Sequence, residues 1–229
     1  MGEARRGGCA EGLLISFEAF VREHLPALTG TGQPARLLEV GCGQGELTNA
    51  LAVAGYDVLG IDPAAPQGER FRRLTLEELD EPGPYDGVIA ARSLHHIRDL
   101  DAALDKAASL LGPNGVLLVD EFAWDRLDEP TLRWLLEQRR AVGAAGNGEG
   151  AVSVEALREE WEADHLGLHG EAPLLRALAA RFDQQAFEWT PYLYRLLGVE
   201  ATEVLEQALV HSGVIQALGF RYAGRPRAS

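Results

Sequence analysis

The sequence predicts an α/β protein: a doubly wound, mostly parallel, seven-stranded sheet with a helical insert after its fifth strand. Three observations lead there. From residue 36 onward, short apolar runs alternate with helical segments of roughly ten residues, the pattern of βαβ units. The runs LLEV (37–40), GVIAA (87–91) and VLLV (116–119) are continuously apolar rather than alternating, as strands buried on both faces are. After the fifth run the chain turns helical for about fifty residues before strand-like segments return.

The elements follow in order. Residues 1–12 are rich in Gly and Arg and are expected to be loose. Leu13, Leu14, Phe17, Phe20, Val21 and Leu25 recur at helical spacing, and Pro26 and Gly30 close that segment. RLLEV (36–40) reads as a strand, GELTNALAVAG (45–55) as a helix stopped by Gly55, and YDVLGID (56–62) as a second strand. RFRRLTLEEL (70–79) is a short third strand running into a turn; YDGVIAARS (85–93) is the fourth. LDAALDKAASLL (100–111) is a helix, and VLLVDEF (116–122) is the fifth strand after the turn GPNG.

Beyond it, TLRWLLEQRRAV (131–142) is helical, AAGNGEG (144–150) is a flexible break, and 153–170 is an acidic helical stretch. APLLRALAARF (172–182) is a helix, and the chain is strand-like around Phe187 to Trp189, with Pro191 favouring a bend. Residues 200–218 read as a helix and GFRYAG (219–224) as the last strand.

The bulk numbers exclude several classes. At 229 residues, 46% hydrophobic and 24% charged, the chain can bury a full core. A net charge of −14 argues against a nucleic-acid backbone as partner, and no apolar run approaches the length of a membrane span. Cys9 and Cys42 are the only cysteines, too few for a disulfide framework or a zinc site, which fits a reducing compartment. The start carries no signal-peptide pattern, so the expected location is cytoplasmic. The tail RYAGRPRAS gives no sign of oligomeric state.

The most informative stretch is EVGCGQGELTNALAVAGYDVLGID (39–62): strand, glycine-rich turn, helix, strand, acid. Such a turn brings backbone close to a ligand and points a helix N-terminus at it. The dinucleotide pattern G-x-G-x-x-G fails, because its sixth position is Glu46; Gly41, Gly43 and Gly45 form G-x-G-x-G instead. A carboxylate there would repel a pyrophosphate but tolerate a cationic amino-acid group. Asp62, ending the second strand, is placed to take both hydroxyls of a ribose.

Four motifs in order, E-V-G-C-G-Q-G, G-I-D-P, Y-D-G-V-I-A-A-R-S-L-H-H-I and L-G-P-N-G-V-L-L-V-D-E, resemble the class I S-adenosylmethionine-dependent methyltransferases over residues 35 to 122. The resemblance implies a Rossmann-like sheet and S-adenosyl-L-methionine as cofactor. It implies that Glu39 and the turn Gly41, Cys42, Gly43 and Gly45 face the methionine part, and that Asp62 with Pro63 holds the ribose. Glu77 lies where such enzymes cover the adenine, although the usual aspartate after the third strand is not evident. Ala91, Arg92 and Ser93 would lie beneath the sulfonium. The expected division is a tail and helix (1–34), a cofactor-binding half (35–123), a lid (124–170) and a segment completing the sheet (171–229).

Methyl transfer mainly needs alignment of a nucleophile, with a general base where the acceptor carries a proton. His95 and His96 follow the fourth strand and are candidate bases, although the resemblance implies that a His-His pair here often just shapes the turn. Glu121 is a further candidate, for the base or for the acceptor site. In the insert, His165 and His169 are four apart, on one face if the helix persists, and either is a candidate base. No third ligand accompanies them, so no metal is expected, and Gly167 weakens the helix. Trp124, Trp161 and Tyr192 are candidate acceptor contacts under the lid; Trp189 and Tyr194 read more as core. The acidic run Glu155, Glu159, Glu160, Glu162, Asp164 reads as a solvated helix face. The leading expectation is methylation of an oxygen or nitrogen of a small metabolite by direct displacement. A peptide or protein acceptor, a non-catalytic cofactor-binding protein and a nicotinamide oxidoreductase are the alternatives; Glu46 disfavours the last.

Overall fold

A computed structural model describes residues 17–25, 27–143, 153–199 and 201–227. The expected loose start, Cys9 and the break at 144–150 lie outside the described residues. Seven strands form one sheet in the order β3-β2-β1-β4-β5-β7-β6. They are β1 (Arg36–Val40), β2 (Asp57–Ile61), β3 (Phe71–Arg72), β4 (Tyr85–Ala91), β5 (Leu111–Phe122), β6 (Phe182–Thr190) and β7 (Gly219–Pro226). β1 to β5 pair in parallel, while β7 runs antiparallel between β5 and β6. The order reverses at β1 and β4, and ligands of such sheets bind outside the carboxyl ends of strands at that point.

Helices cover both faces. On one, the helix at 17–24 (α1) and α2 (Glu46–Val53) pack Phe17, Val21, Leu47 and Leu51 against Leu37 and Ile89. On the other, α3 (Leu100–Leu110) and α6 (Glu171–Arg181) pack Leu104, Leu174 and Leu178 against Leu38, Val88 and Val119. The alternation explains the sequence pattern: Leu37 and Leu38 are neighbours on opposite faces, and both are fully buried. A third cluster lies beyond the carboxyl end of β5, where α4 (Glu129–Gly143) and α5 (Val154–Asp164) pack Leu132, Leu135, Leu157 and Trp161 with Phe122 and Tyr192.

Caps set several boundaries. Asp99 accepts the Ala102 N–H at 3.0 Å to start α3, and Ser153 accepts the Ala156 N–H at 3.2 Å to start α5. Asp128 accepts the Thr131 N–H at 3.0 Å, which starts α4 at Glu129, ahead of the 131 expected from periodicity. The short third strand is two residues long and runs into a turn at 76–78, as expected. Two expectations are corrected. Beyond β6 lies the short α7 (Tyr194–Leu197), and the helix expected over 200–218 is α8 (Ala201–His211), which ends before Gly213, at φ 72°. The helix expected over 153–170 stops at Asp164, with Gly167 at φ 88°, so His165 and His169 do not share a helical face. Among the described residues no helix is long and apolar enough to cross a membrane.

Candidate functional site

The turn after β1 is shaped by backbone demands that glycine meets. Gly41, Gly43 and Gly45 have φ of 77°, 53° and 86°, a region side chains disfavour. Space is also short: a Cβ on Gly41 would overlap the Ser93 side chain, and one on Gly45 would meet the Phe71 ring at 2.5 Å. The N–H groups of Gly41 and Cys42 bond to the Ile61 carbonyl at 2.8 and 3.0 Å, locking the turn to the end of β2. Asp62 then closes it, with Oδ2 accepting the Gly43 N–H at 3.2 Å and Oδ1 the Ala64 N–H at 2.7 Å. Ser93 fastens the end of β4 to that of β1 by donating to the Val40 carbonyl at 2.8 Å.

These elements border a cleft of about 410 Å³ at the reversal point of the sheet. Of the sequence-predicted residues, Gly41, Asp62, Pro63, Glu77, Arg92, Ser93 and His96 line it. Val40, Leu74, Thr75, Ile97 and Arg98 line it as well and were missed. The signal for Ile97 and Arg98 was position, directly after the His-His pair, rather than residue type. Glu39, Cys42, Gly43, Gly45 and Ala91 do not line the cleft and sit behind or beside its wall. Cys42 is buried against Gly60, and burial, reinforced by Glu39 and Asp62, pushes its thiol up to about 12, leaving it inert. Glu39 is 2% exposed and accepts a hydrogen bond from the Thr48 hydroxyl. Burial, with Glu46 adding to it, raises its carboxyl to about 7 despite Thr48 and Arg92.

Arg92 is the only non-glycine residue at positive φ among the described residues, at 55°. Its N–H bonds to the Asp120 carbonyl at 2.7 Å, so it turns out of β4 while tied to β5. Strain of this kind persists where surroundings over-determine it, often beside a ligand.

Past the cleft, aromatic and imidazole rings gather around Phe122. Tyr192 stacks on it at 3.9 Å and 9° between planes, and Trp161 and His165 meet it edge-on at 5.7 and 5.3 Å. Trp161 donates to the Trp124 carbonyl at 3.1 Å, and Trp124 stacks on His165 at 5.6 Å. The expected contacts Trp124, Trp161 and Tyr192 are thus brought together, although Tyr192 is 9% and Trp161 5% exposed. Burial pushes the Tyr192 phenol up to about 12, so it stays protonated. Tyr194 is buried, and Trp189 lies under the Arg126 guanidinium at 3.7 Å, away from the cleft.

The four histidines separate by what holds them. His95 Nδ1 lies 2.6 Å from Glu121 Oε2, and both residues are buried. His96 lies beside it at 4.1 Å between ring centroids; burial, then the neighbouring His95, lowers its pKa and favours the neutral ring. His165 Nδ1 lies 2.6 Å from the Trp161 carbonyl. His169 Nε2 lies 2.8 Å from the Ile97 carbonyl, and its N–H bonds to the His95 carbonyl at 3.0 Å, so it straps the end of the insert to the turn after β4. Glu121, expected as a base or acceptor contact, is fully buried, with both oxygens engaged by protein groups.

Two further groups carried no local sequence signal. Glu206, on α8, is fully buried and accepts the N–H groups of Tyr192, Leu193 and Tyr194 at 2.8, 2.9 and 2.7 Å. Burial raises its carboxyl despite those bonds. Arg195 lies 4.8 Å over the Tyr192 ring and 3.4 Å from Asp120.

Comparison with known proteins agrees with this geometry. A family described as "Methyltransferase domain" matches residues 15–189, well over half of the chain. The ubiquinone biosynthesis O-methyltransferase of Azorhizobium caulinodans is 30% identical over 165 residues, covering 56% of this chain and 65% of that relative. The chain therefore spans less than two thirds of that relative's length. Among solved structures, the PH0226 protein from Pyrococcus horikoshii aligns with a TM-score of 0.59 and 14% identity, covering 97% of this chain and 93% of its own. The 1,6-didemethyltoxoflavin-N1-methyltransferase of Burkholderia thailandensis, solved with 1,6-didemethyltoxoflavin and S-adenosylhomocysteine, aligns with a TM-score of 0.56 and 19% identity, covering 95% and 80%. At such identities the likeness is one of fold: the Rossmann-like sheet.

Proposed function

The chain belongs to the class I S-adenosylmethionine-dependent methyltransferases, and from that premise we propose that it moves a methyl group from S-adenosylmethionine to a small metabolite. One observation carries the reading: the glycine turn, Asp62 and the Ser93 clasp enclose one cleft at the sheet's reversal point. The residues present fit the cofactor. The turn is too tight for a Cβ at Gly41 or Gly45, each Asp62 oxygen keeps a free acceptor site for a ribose hydroxyl, and the buried Glu39 suits a cationic amino-acid group. Glu77 and Leu76 border the end of the cleft assigned to the adenine, and Arg92 and Ser93 the end assigned to the sulfonium. When bound, S-adenosylmethionine supplies a methyl group activated by its sulfonium, open to direct displacement.

In this reading the chain has a cofactor-binding half over 35–123, a lid over 124–170 and a segment over 171–229 that completes the sheet. The rings around Phe122 take a flat organic acceptor and exclude water from it. The site needs no nucleic acid, and a cytoplasmic location suits the chemistry. The test is a screen of hydroxyl- and amine-bearing metabolites with S-adenosylmethionine, followed by mass spectrometry. A product heavier by one methylene, formed together with S-adenosylhomocysteine, is the expected result. Turnover on peptides but on no small molecule would contradict it.

A further inference from the structure

Four histidines stand near the carboxyl edge of the sheet, and only one is held by a carboxylate. Glu121 Oε1 accepts the N–H groups of Leu94 at 2.7 Å and His95 at 3.3 Å; Oε2 accepts that of Phe122 at 2.7 Å and faces His95 Nδ1 at 2.6 Å. Three backbone donors already point at this carboxylate, so the proton between it and the imidazole belongs to Nδ1. In a neutral ring that leaves the lone pair on Nε2. His95 Nε2 makes no hydrogen bond among the described residues and is not one of their sealed, unpartnered polar atoms. The ring is not itself part of the cleft lining; it stands beside His96, which is, and 6.0 Å from Phe122 at the aromatic wall.

The other three lack this arrangement. His165 and His169 each spend a ring nitrogen on a backbone carbonyl, and the His96 ring has no hydrogen-bond partner among the described residues to fix its tautomer. A base works best with a fixed tautomer and a neighbouring negative charge that stabilises the imidazolium formed as the proton arrives.

We infer that His95 Nε2 is the general base of the reaction, that Glu121 is the residue positioning it, and that the acceptor is therefore a hydroxyl group. The inference rests on the methyltransferase reading and narrows its substrate class. An amine that is neutral near pH 7, such as an aromatic one, attacks through its own lone pair and needs no base before attack, whereas a hydroxyl at that pH becomes a strong nucleophile only as its proton leaves. In the step, the acceptor O–H bond breaks with its proton passing to Nε2, an oxygen–methyl bond forms, and the methyl–sulfur bond breaks with its electron pair remaining on sulfur. The proton then leaves His95 for solvent, and the products are the methyl ether, the neutral thioether and one proton.

The first test reads the imidazole itself. In ¹H–¹⁵N spectra of the full chain, His95 is expected as the Nδ1–H tautomer with a strongly deshielded Nδ1 proton, lost in Glu121→Gln. An Nε2–H tautomer would overturn the inference, since no lone pair would face the site. The second test uses catechol and 4-nitrocatechol with S-adenosylmethionine. With catechol, His95→Gln and Glu121→Gln should lower kcat by about 10²- to 10⁴-fold with little change in KM. With the nitro compound, already ionised at mildly alkaline pH, the loss should shrink to about tenfold or less. Equal losses on both probes would mark a structural role and overturn the assignment, as would methylation of an aromatic amine with neither phenol accepted. His95→Gln leaves the backbone bonds to Glu121 in place, so it keeps the test open if Glu121→Gln fails to fold. S-adenosylhomocysteine titration of each variant separates the outcomes: binding with an unchanged kcat refutes the base alone, whereas no binding even by the unsubstituted chain refutes the methyltransferase reading.

Discussion

Two strands carry a fully buried glutamate near their carboxyl ends, and the two are solvated in opposite ways. Glu121, on β5, has three backbone N–H groups and an imidazole around its two oxygens. Glu39, on β1, has only the hydroxyl and backbone N–H of Thr48 as donors and the repelling Glu46 nearby, and its carboxyl is raised to about 7. The first is a finished structural group whose remaining function is to hold a histidine. The second is incomplete, and a cation arriving at the glycine turn would supply the missing partner. Two equally buried carboxylates thus serve differently according to the donors and charges around them.

The sharpest way to break this comparison is Glu121→Ala. It strands the N–H groups of Leu94 and Phe122 and the His95 ring, and should cost about 3–5 kcal/mol in denaturant unfolding. A loss under about 1 kcal/mol would mean that the network is slack.

Glu39 gives the next effect, with a defined sign. Its folded pKa lies above its unfolded value of 4.5, so the folded state holds the proton more tightly. The associated stability is fully present below pH 4.5 and is lost as pH rises to about 7. The loss is about 3 kcal/mol at most, from the span between the unfolded and folded values. Glu39→Gln should remove that slope, so that the variant gains on the parent protein between those pH values in urea titrations. Parallel curves would show that Glu39 is ionised throughout.

Glu206 sharpens the contrast from the lid side. Glu206→Gln replaces one of two accepting oxygens with a donor facing backbone N–H groups, costing about 1–3 kcal/mol. Because it holds Tyr192 in place, acceptor KM should rise while S-adenosylhomocysteine affinity stays constant; a fall in both would mean that the lid and the cleft are one unit. At the small end, Arg133→Ala breaks an exposed pair with Glu129 and should leave the denaturant unfolding midpoint unchanged.

The same contrast explains what was legible in the sequence. β1, β2, β4 and α2 stood where their runs placed them, because continuous apolar strands and a glycine turn are local signals. Asp62, Ser93 and Arg92 were found for the same reason: each follows a strand directly. What was hidden depended on distant partners. Glu121 reads in the sequence as a candidate base or acceptor contact because its donors arrive from the turn after β4 and from its own backbone. Glu206 gave no signal, since the N–H groups it accepts lie twelve to fourteen residues away. His169 looked paired with His165 until Gly167 ended the helix and Ile97 took its ring.

The central claim is that the glycine turn and Asp62 form an S-adenosylmethionine site, and the most direct test is calorimetric titration with S-adenosylhomocysteine, with NADH and Asp62→Ala as controls. The account predicts binding on the order of micromolar, lost in the variant and absent with NADH. No binding of S-adenosylhomocysteine by the unsubstituted chain, or equal binding by Asp62→Ala, would contradict it.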